Sequence, residues 1–306
     1  MRRTILLLTV TGSVLLALLP VYGSAQSAPG LTLSPPLNDI TIGPGLLETT
    51  TDIALTNNTA QDVRVSLRLV DLKELGTFGG TTIDQANLDD TYGLSNWMSL
   101  PGGDTLLIPA KKTVKSTVRL SNRDDLAPGG HYGAVVITNE SSKDNQSNLN
   151  ISQQLVSLVF VKKLGGEKYG LTLDSLNSQE LKNGLPEKVQ LKFTNTGNVH
   201  VVPRGYIETK DPDGVVIAKS TINPDSLTIL PESDRLITSN MQTVAASKKS
   251  GTYTITAYYR YDGEDTFKSE SILVTKPGIP VYAPVMVAIA SAIAIAVIIL
   301  RKYRNR

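Results

Sequence analysis

The chain is expected to be all-β, two tandem immunoglobulin-like β-sandwich domains with a single C-terminal transmembrane helix. Three observations predict this. Apolar and polar residues alternate over short runs, most clearly Val63, Val65, Leu67 and Leu69 against Arg64, Ser66 and Arg68. Period two lines up the apolar side chains on one face of a strand and would scatter them around a helix. Gly, Pro and Asn turns separate these runs, with no amphipathic helix between them, which is the pattern of antiparallel sandwiches. Near the end, Ile279 to Leu300 runs for 22 residues without a charge. As a helix it rises about 33 Å, enough for a bilayer core of about 30 Å.

The chain opens with Arg2 and Arg3, the apolar run Ile5 to Leu19, Pro20 and the small residues Gly23, Ser24 and Ala25. Residues 1–25 thus have the form of a signal peptide with Gln26 as first mature residue; an uncleaved anchor is the alternative. At the other end, Arg301, Lys302, Arg304 and Arg306 follow the apolar stretch 279–300 at once, a stop-transfer pattern. Pro280 and Pro284 move the start of the uninterrupted helix toward Val285. The expectation is a single-pass cell-membrane protein, held in lipid by one helix. Its N-terminal ectodomain lies outside and its basic tail, 301–306, is cytoplasmic.

The formal charge of +2 misleads about the ectodomain. Six of the 30 Lys and Arg lie in the two terminal segments, so residues 26–278 carry 24 against all 28 Asp and Glu, a net −4. The basic excess marks topology, and a nucleic-acid partner loses its simplest support. There is no cysteine, which excludes disulfides, thiolate metal sites and a cysteine-linked lipid. Stability outside the cell must then come from core packing. That absence favours a bacterial envelope protein. Asn57, Asn139, Asn145 and Asn150 begin N-x-S/T triplets, which carry glycan only in a host with the enzymes.

The first sandwich is expected over 26–162. Leu31 to Ser34 reads as an extended edge segment ended by Pro35-Pro36. Thr49 to Thr56 and Val63 to Leu69 form strands around an Asn57-Asn58-Thr59 turn. Residues 76–90 read as a long loop. Trp97 precedes the Pro101–Asp104 turn, as a ligand platform or, more simply, as a core-rim aromatic. Strands follow near 106–108, 114–120 and 131–137, then a polar loop at 139–150. Tyr132 sits where sandwiches often place a tyrosine that fixes a corner by bonding backbone. The run Leu155 to Val161 is nearly unbroken and suits a central strand.

A polar joint at 162–168 leads into the second sandwich, 163–276. Tyr169 to Leu173, Val189 to Phe193, Val199 to Val202, Tyr206 to Glu208 and Val215 to Ile217 read as strands. Leu227 to Ile229, Leu236 to Ile237, Tyr253 to Tyr259 and Phe267 to Val274 complete the set. Asp211-Pro212-Asp213-Gly214 is a turn, and too short for a twelve-residue calcium loop. Gly251-Thr252-Tyr253 resembles Gly130-His131-Tyr132, and Phe193-Thr194-Asn195-Thr196 resembles Leu55-Thr56-Asn57-Asn58. Both pairs fit one plan used twice, by duplication or by convergent turn chemistry.

The stretches LTLSPP at 31–36, IALTNNT at 53–59, APGGHYGAVVI at 127–137 and LKFTNTGNVHVVPRGYIE at 191–208 give the chain a family resemblance. It resembles the bacterial cell-surface proteins that interact with WxL proteins. The resemblance implies a peptidoglycan-binding first sandwich, a second sandwich that binds an envelope or host-cell protein, and one membrane helix. It carries no individual ligand residue onto this chain. Periplasmic pilus chaperones share the Asn turns and the Pro-Gly-x-Tyr entries.

Catalysis finds little footing. His131 and His200, the only histidines, fall in different sandwiches, and neither has a neighbouring histidine or cysteine. No local motif marks a nucleophile. Asp71 with Glu74, and Asp124 with Asp125, read as solvated carboxylates. Gly79-Gly80 and Gly129-Gly130 lack the Lys and helix of a phosphate loop. No catalytic, cofactor or metal residue is therefore expected. The expected function is non-covalent binding or adhesion at the cell surface, to wall polymer or an envelope protein. The alternatives are a structural subunit or spacer of an envelope complex, and a β-edge-binding envelope chaperone.

Overall fold

The structure, a computed structural model, describes residues 30–74, 81–84, 91–123, 126–140, 154–182, 185–247 and 249–277. The expected signal peptide, the apolar stretch 279–300 and the basic tail lie outside the described residues. Among the described residues no helix is long and apolar enough to cross a membrane.

Among the described residues ten strands build the first sandwich: β1 (Leu31–Ser34), β2 (Leu37–Ile42), β3 (Glu48–Asn57), β4 (Val63–Glu74), β5 (Thr81–Asp84), β6 (Met98–Ser99), β7 (Thr105–Ile108), β8 (Thr113–Ser121), β9 (Gly129–Asn139) and β10 (Gln154–Lys163). One sheet runs β1-β3-β8-β6 and the other β2-β10-β9-β4, with β5 and β7 sharing the free side of β4. Proline has no N–H for a ladder, and at Pro35-Pro36 the chain leaves the first sheet for the second. There β2 pairs in parallel with β10 over Leu158 to Lys163. The sequence pattern missed β2 because its buried polar residue, Asn38, breaks the apolar alternation; Asn38 bonds Ser157 and Thr51. Inward residues of both sheets, among them Ile53, Leu55, Val65, Val118, Val135 and Val161, close one core.

The second sandwich has β11 (Leu171–Lys182), β12 (Leu185–Asn195), β13 (Arg204–Lys210), β14 (Val216–Ile222), β15 (Asp234–Asn240), β16 (Gln242–Thr243), β17 (Gly251–Tyr261) and β18 (Glu264–Lys276). Its sheets run β11-β12-β15 and β16-β14-β13-β17-β18 around Phe193, Leu191, Ile207, Ile255 and Tyr259. Two expected strands are absent: Val201 and Ile229 meet only in an isolated bridge. Conversely β11 runs on to Lys182, since Ser175 to Gln179 pair with β12 although their exposed side chains are polar.

The two sandwiches repeat local devices atom for atom. The buried Asn57 side chain donates to the carbonyls of Gln61 (2.7 Å) and Ile108 (2.9 Å) and accepts the Thr59 N–H (2.9 Å). Asn195 donates to Val199 (2.8 Å) and Ile229 (2.9 Å) and accepts the Gly197 N–H (2.8 Å). Each side chain closes its own turn and ties it to a distant loop. Buried in this way, Asn57 is removed as a glycan acceptor. Lys111 and Glu232 sit at the same place in those loops, both with φ of 59°. Gly129 (φ 133°) and Gly251 (φ 132°) start β9 and β17 in a conformation that side chains disfavour.

The corner residue differs from expectation. Tyr253 donates to the Lys249 carbonyl four residues upstream at 2.7 Å, the tyrosine-corner bond. Its counterpart in the first sandwich is His131, whose Nε2 lies 2.9 Å from the Ala127 carbonyl, again four residues upstream. Tyr132 is one place further on, so it points to the opposite face of the sheet. Tyr253→Phe should lower stability by about 1 kcal/mol, because only the hydroxyl's bonds to the Lys249 carbonyl and the Ser247 hydroxyl are lost while the ring still packs. Urea unfolding checks this; an unchanged midpoint would show that the corner bond contributes nothing.

Candidate binding surface

From Gly129 to Ile137 every residue of β9 is buried, which requires cover on both faces. One face meets the core. The other carries Val70, Leu72, Tyr132, Ala134, Val136 and Phe160, and Leu230 of the second sandwich packs into this cluster. The apolar run Leu155 to Val161 thus reflects a strand between β9 and β2 whose outer face meets the interdomain joint.

Asn198 locks that joint. Its carbonyl accepts the Gly130 N–H (2.7 Å), its Oδ1 accepts the Lys168 N–H (2.6 Å), and its Nδ2 donates to Gly166 (3.0 Å). One residue therefore binds the linker to the first sandwich. Nearby the Tyr132 hydroxyl accepts the His200 N–H at 2.7 Å, and Phe160 meets the Tyr132 ring edge-on at 5.1 Å. His200 Nδ1 lies 3.3 Å from that hydroxyl and Nε2 lies 3.5 Å from Asp39. If the hydroxyl proton points to Nδ1, the Nε2 proton faces the carboxylate. Burial pushes the Tyr132 hydroxyl far up, so it stays protonated. His200 is thus a joint residue in a loop, rather than a strand residue.

The His200 hydrogen bond holds Asp39 below the usual carboxylate range. A carboxylate lowered in the folded state adds stability above its unfolded pKa and loses it as pH falls through the folded value. Asp39→Asn should therefore be less stable than wild type at pH 6, with the gap closing below about pH 4. Unfolding midpoints measured from pH 2.5 to 6 test this, and a constant gap would refute it.

The remaining sequence candidates serve structure. Trp97, in a 3-10 turn, stacks on His131 at 5.3 Å and packs at the core rim. Asp71 is buried, contrary to the solvated reading. Its carboxylate accepts the N–H groups of Leu94 and Ser95 (both 2.7 Å) and the Ser95 hydroxyl (2.9 Å). The Asp211 carboxylate accepts Asp213 and Val215 N–H, each at 3.0 Å, which closes the turn. Asp124, Asp125 and Gly79-Gly80 lie outside the described residues. Among the described residues no group of three His, Cys, Asp or Glu could hold a metal.

No family model matches the chain, and no curated protein matches it. Solved structures similar to it include a chaperone–tip adhesin complex of CFA/I fimbriae, at 11% identity and TM-score 0.44, covering 81% of this chain and 100% of that one. The CsuC–CsuE chaperone–tip adhesion subunit complex of Acinetobacter baumannii is similar at 13% identity and TM-score 0.39, covering 81% and 99%. The class 5 fimbriae chaperone CfaA is similar at 10% and 0.39, covering 81% and 100%. The sheet order and the two cores of this chain are those of two β-sandwiches.

Among the described residues, the most exposed aromatic group lies on the outer face of the sheet β16-β14-β13-β17-β18. Tyr206 on β13 stacks on its cross-strand partner Tyr258 on β17, with centroids 4.9 Å apart and planes at 24°. Phe267 on β18 stands edge-on to Tyr206 at 5.9 Å, with Arg260 over its ring at 5.4 Å. Tyr206 is 41% and Phe267 47% exposed. One register step from Tyr206, Glu208 pairs with Lys219 of β14 at 3.0 Å, and Lys219 lies opposite Gln242. Tyr206, Glu208, Lys219, Thr221 and Gln242 line an open depression of about 410 Å³. The sequence pattern places Tyr206 and Tyr258 on strands. Period two shows that alternate residues share a face, whereas the juxtaposition of β13, β17 and β18 is tertiary.

Proposed function

We propose that this protein is a membrane-anchored binding protein of the cell surface. It recognises wall polymer or an envelope protein non-covalently, through the outer sheet face of its second sandwich. The observation that supports this is the exposed Tyr206–Tyr258–Phe267 group, aromatic area that no core uses. The joint holds the two sandwiches as one arm. From Phe267 to Lys276 ten residues of strand rise about 30 Å. An anchor at 279–300 would thus hold the aromatic group well clear of the lipid.

The chain has no cysteine, so Ser269→Cys, opposite Tyr258 on the same face, provides a unique attachment point for a crosslinker in intact cells. Wall polymer or one envelope protein should be captured from that position and spared from Thr113→Cys on the first sandwich. Equal capture from both positions would count against the reading. A second reading, capture of a partner's strand, has one observation in its favour. β2 covers β10 only from Leu158 onward, so Gln154 to Ser157 pair on one side alone among the described residues. Capture of an envelope subunit from Val156→Cys, with none from Ser269→Cys, would favour it.

A further inference from the structure

We infer that the depression beside Tyr206 is a binding subsite for a neutral pyranose glycan. The inference rests on the proposed binding function and names the ligand class for the same face. One face of the Tyr206 ring is taken by Tyr258, and the ring forms a wall of the depression. A pyranose presents an apolar C–H face that stacks on such a ring and equatorial hydroxyls that demand hydrogen bonds. The floor meets that demand with both kinds of group. Glu208 supplies carboxylate acceptors, Lys219 ammonium donors, Gln242 an amide and Thr221 a hydroxyl.

Charge selects among polar ligands. Glu208 and Lys219 neutralise one another across 3.0 Å, so the floor has no net charge to hold a phosphate, sulfate or carboxylate. Each retains capacity beyond the pair, since a carboxylate accepts several bonds and an ammonium donates three. Next along the same row, Thr256 and Ser271 join their hydroxyls at 2.8 Å, continuing an uncharged polar track toward β18. The volume of about 410 Å³ falls within the range of about 300–1,000 Å³ usual for small-ligand sites. A polymer could continue past it along the open sheet face.

Full-length protein in nanodiscs tests the assignment, with chitohexaose and cellohexaose as neutral probes and a heparin hexasaccharide as the anionic one. Calorimetry should show at least one neutral hexasaccharide binding more tightly than heparin. Tyr206→Ala should weaken that binding about tenfold, and Tyr206→Phe, which keeps the ring, by no more than about twofold. Lys219→Ala should weaken it as well, while Leu273→Ala, exposed elsewhere on this face, should leave it unchanged. Thermal melts confirm that each variant folds. No binding of a neutral probe, preference for heparin, or an unaltered Tyr206→Ala overturns the assignment.

Sedimentation with the native envelope separates the two levels of the reading. If wild type and Tyr206→Ala sediment alike, the subsite falls while the surface-binding function stands. If protease treatment of the envelope abolishes sedimentation, the occupant is a protein and the glycan assignment falls. If wild type does not sediment with any envelope fraction, the proposed function itself fails.

Discussion

Asn195→Ala is expected to destabilise the second sandwich by about 4 kcal/mol, since each buried polar group left unsatisfied costs about 1–3 kcal/mol. The side chain is 1% exposed, and the substitution strands the Val199 carbonyl and the Gly197 N–H together, while the Ile229 carbonyl keeps the Val201 N–H. Asn195→Asp separates the contributions. It keeps the acceptor for Gly197 but turns the two donors into a carboxylate facing carbonyl oxygens. It should therefore be at least as damaging as Asn195→Ala at pH 7, and milder at pH 3, where protonation restores one donor. Urea unfolding of the full chain in detergent measures all three forms. A loss below 1 kcal/mol for Asn195→Ala would mean that water replaces the side chain, and the proposed structural role would be withdrawn. Asn57→Ala should behave alike in the first sandwich.

Tyr132→Ala is expected to cost about 3–5 kcal/mol and to uncouple the sandwiches. The ring is 1% exposed among Phe160, His200 and Leu230, so its removal opens a cavity at the joint itself. The hydroxyl accepts the His200 N–H, which would then be buried without a partner. Tyr132→Phe removes only that acceptor and should cost about 1–2 kcal/mol. Calorimetry should show one coupled transition for wild type, two for Tyr132→Ala, and a larger radius of gyration for that variant by solution scattering. A single transition and an unchanged radius in Tyr132→Ala would show that the remaining contacts, those of Asn198, Leu230 and Tyr92–Glu232, suffice to hold the joint.

The strands with regular alternation, such as Val63 to Leu69 and Tyr253 to Tyr259, were legible because one face is buried and the other wet. β2 and the far half of β11 were not. β2 buries Asn38, and β11, at a sheet edge, follows its buried Leu176 with the polar residues Asn177, Ser178 and Gln179. A clearer signal of the repeated plan was also available. Gly30-Leu31-Thr32-Leu33 recurs as Gly170-Leu171-Thr172-Leu173, and both glycine carbonyls accept the N–H after the buried asparagine, at 3.1 Å. The match of Tyr132 to Tyr253 went astray by one residue. Residue type suggested it, whereas the i−4 carbonyl bond that defines the corner belongs to His131.

By itself the sequence determined the all-β class, the absence of disulfides and the positions of the Asn turns. These follow from local period, length and residue chemistry. Only the tertiary structure decided which residues meet: Tyr132 with His200 across the joint, and Tyr206 with Tyr258 and Phe267 on an open sheet. A pair 52 residues apart, as Tyr206 and Tyr258 are, is brought together by strand order and register. No local pattern encodes that order, because each strand could satisfy its own alternation against many neighbours.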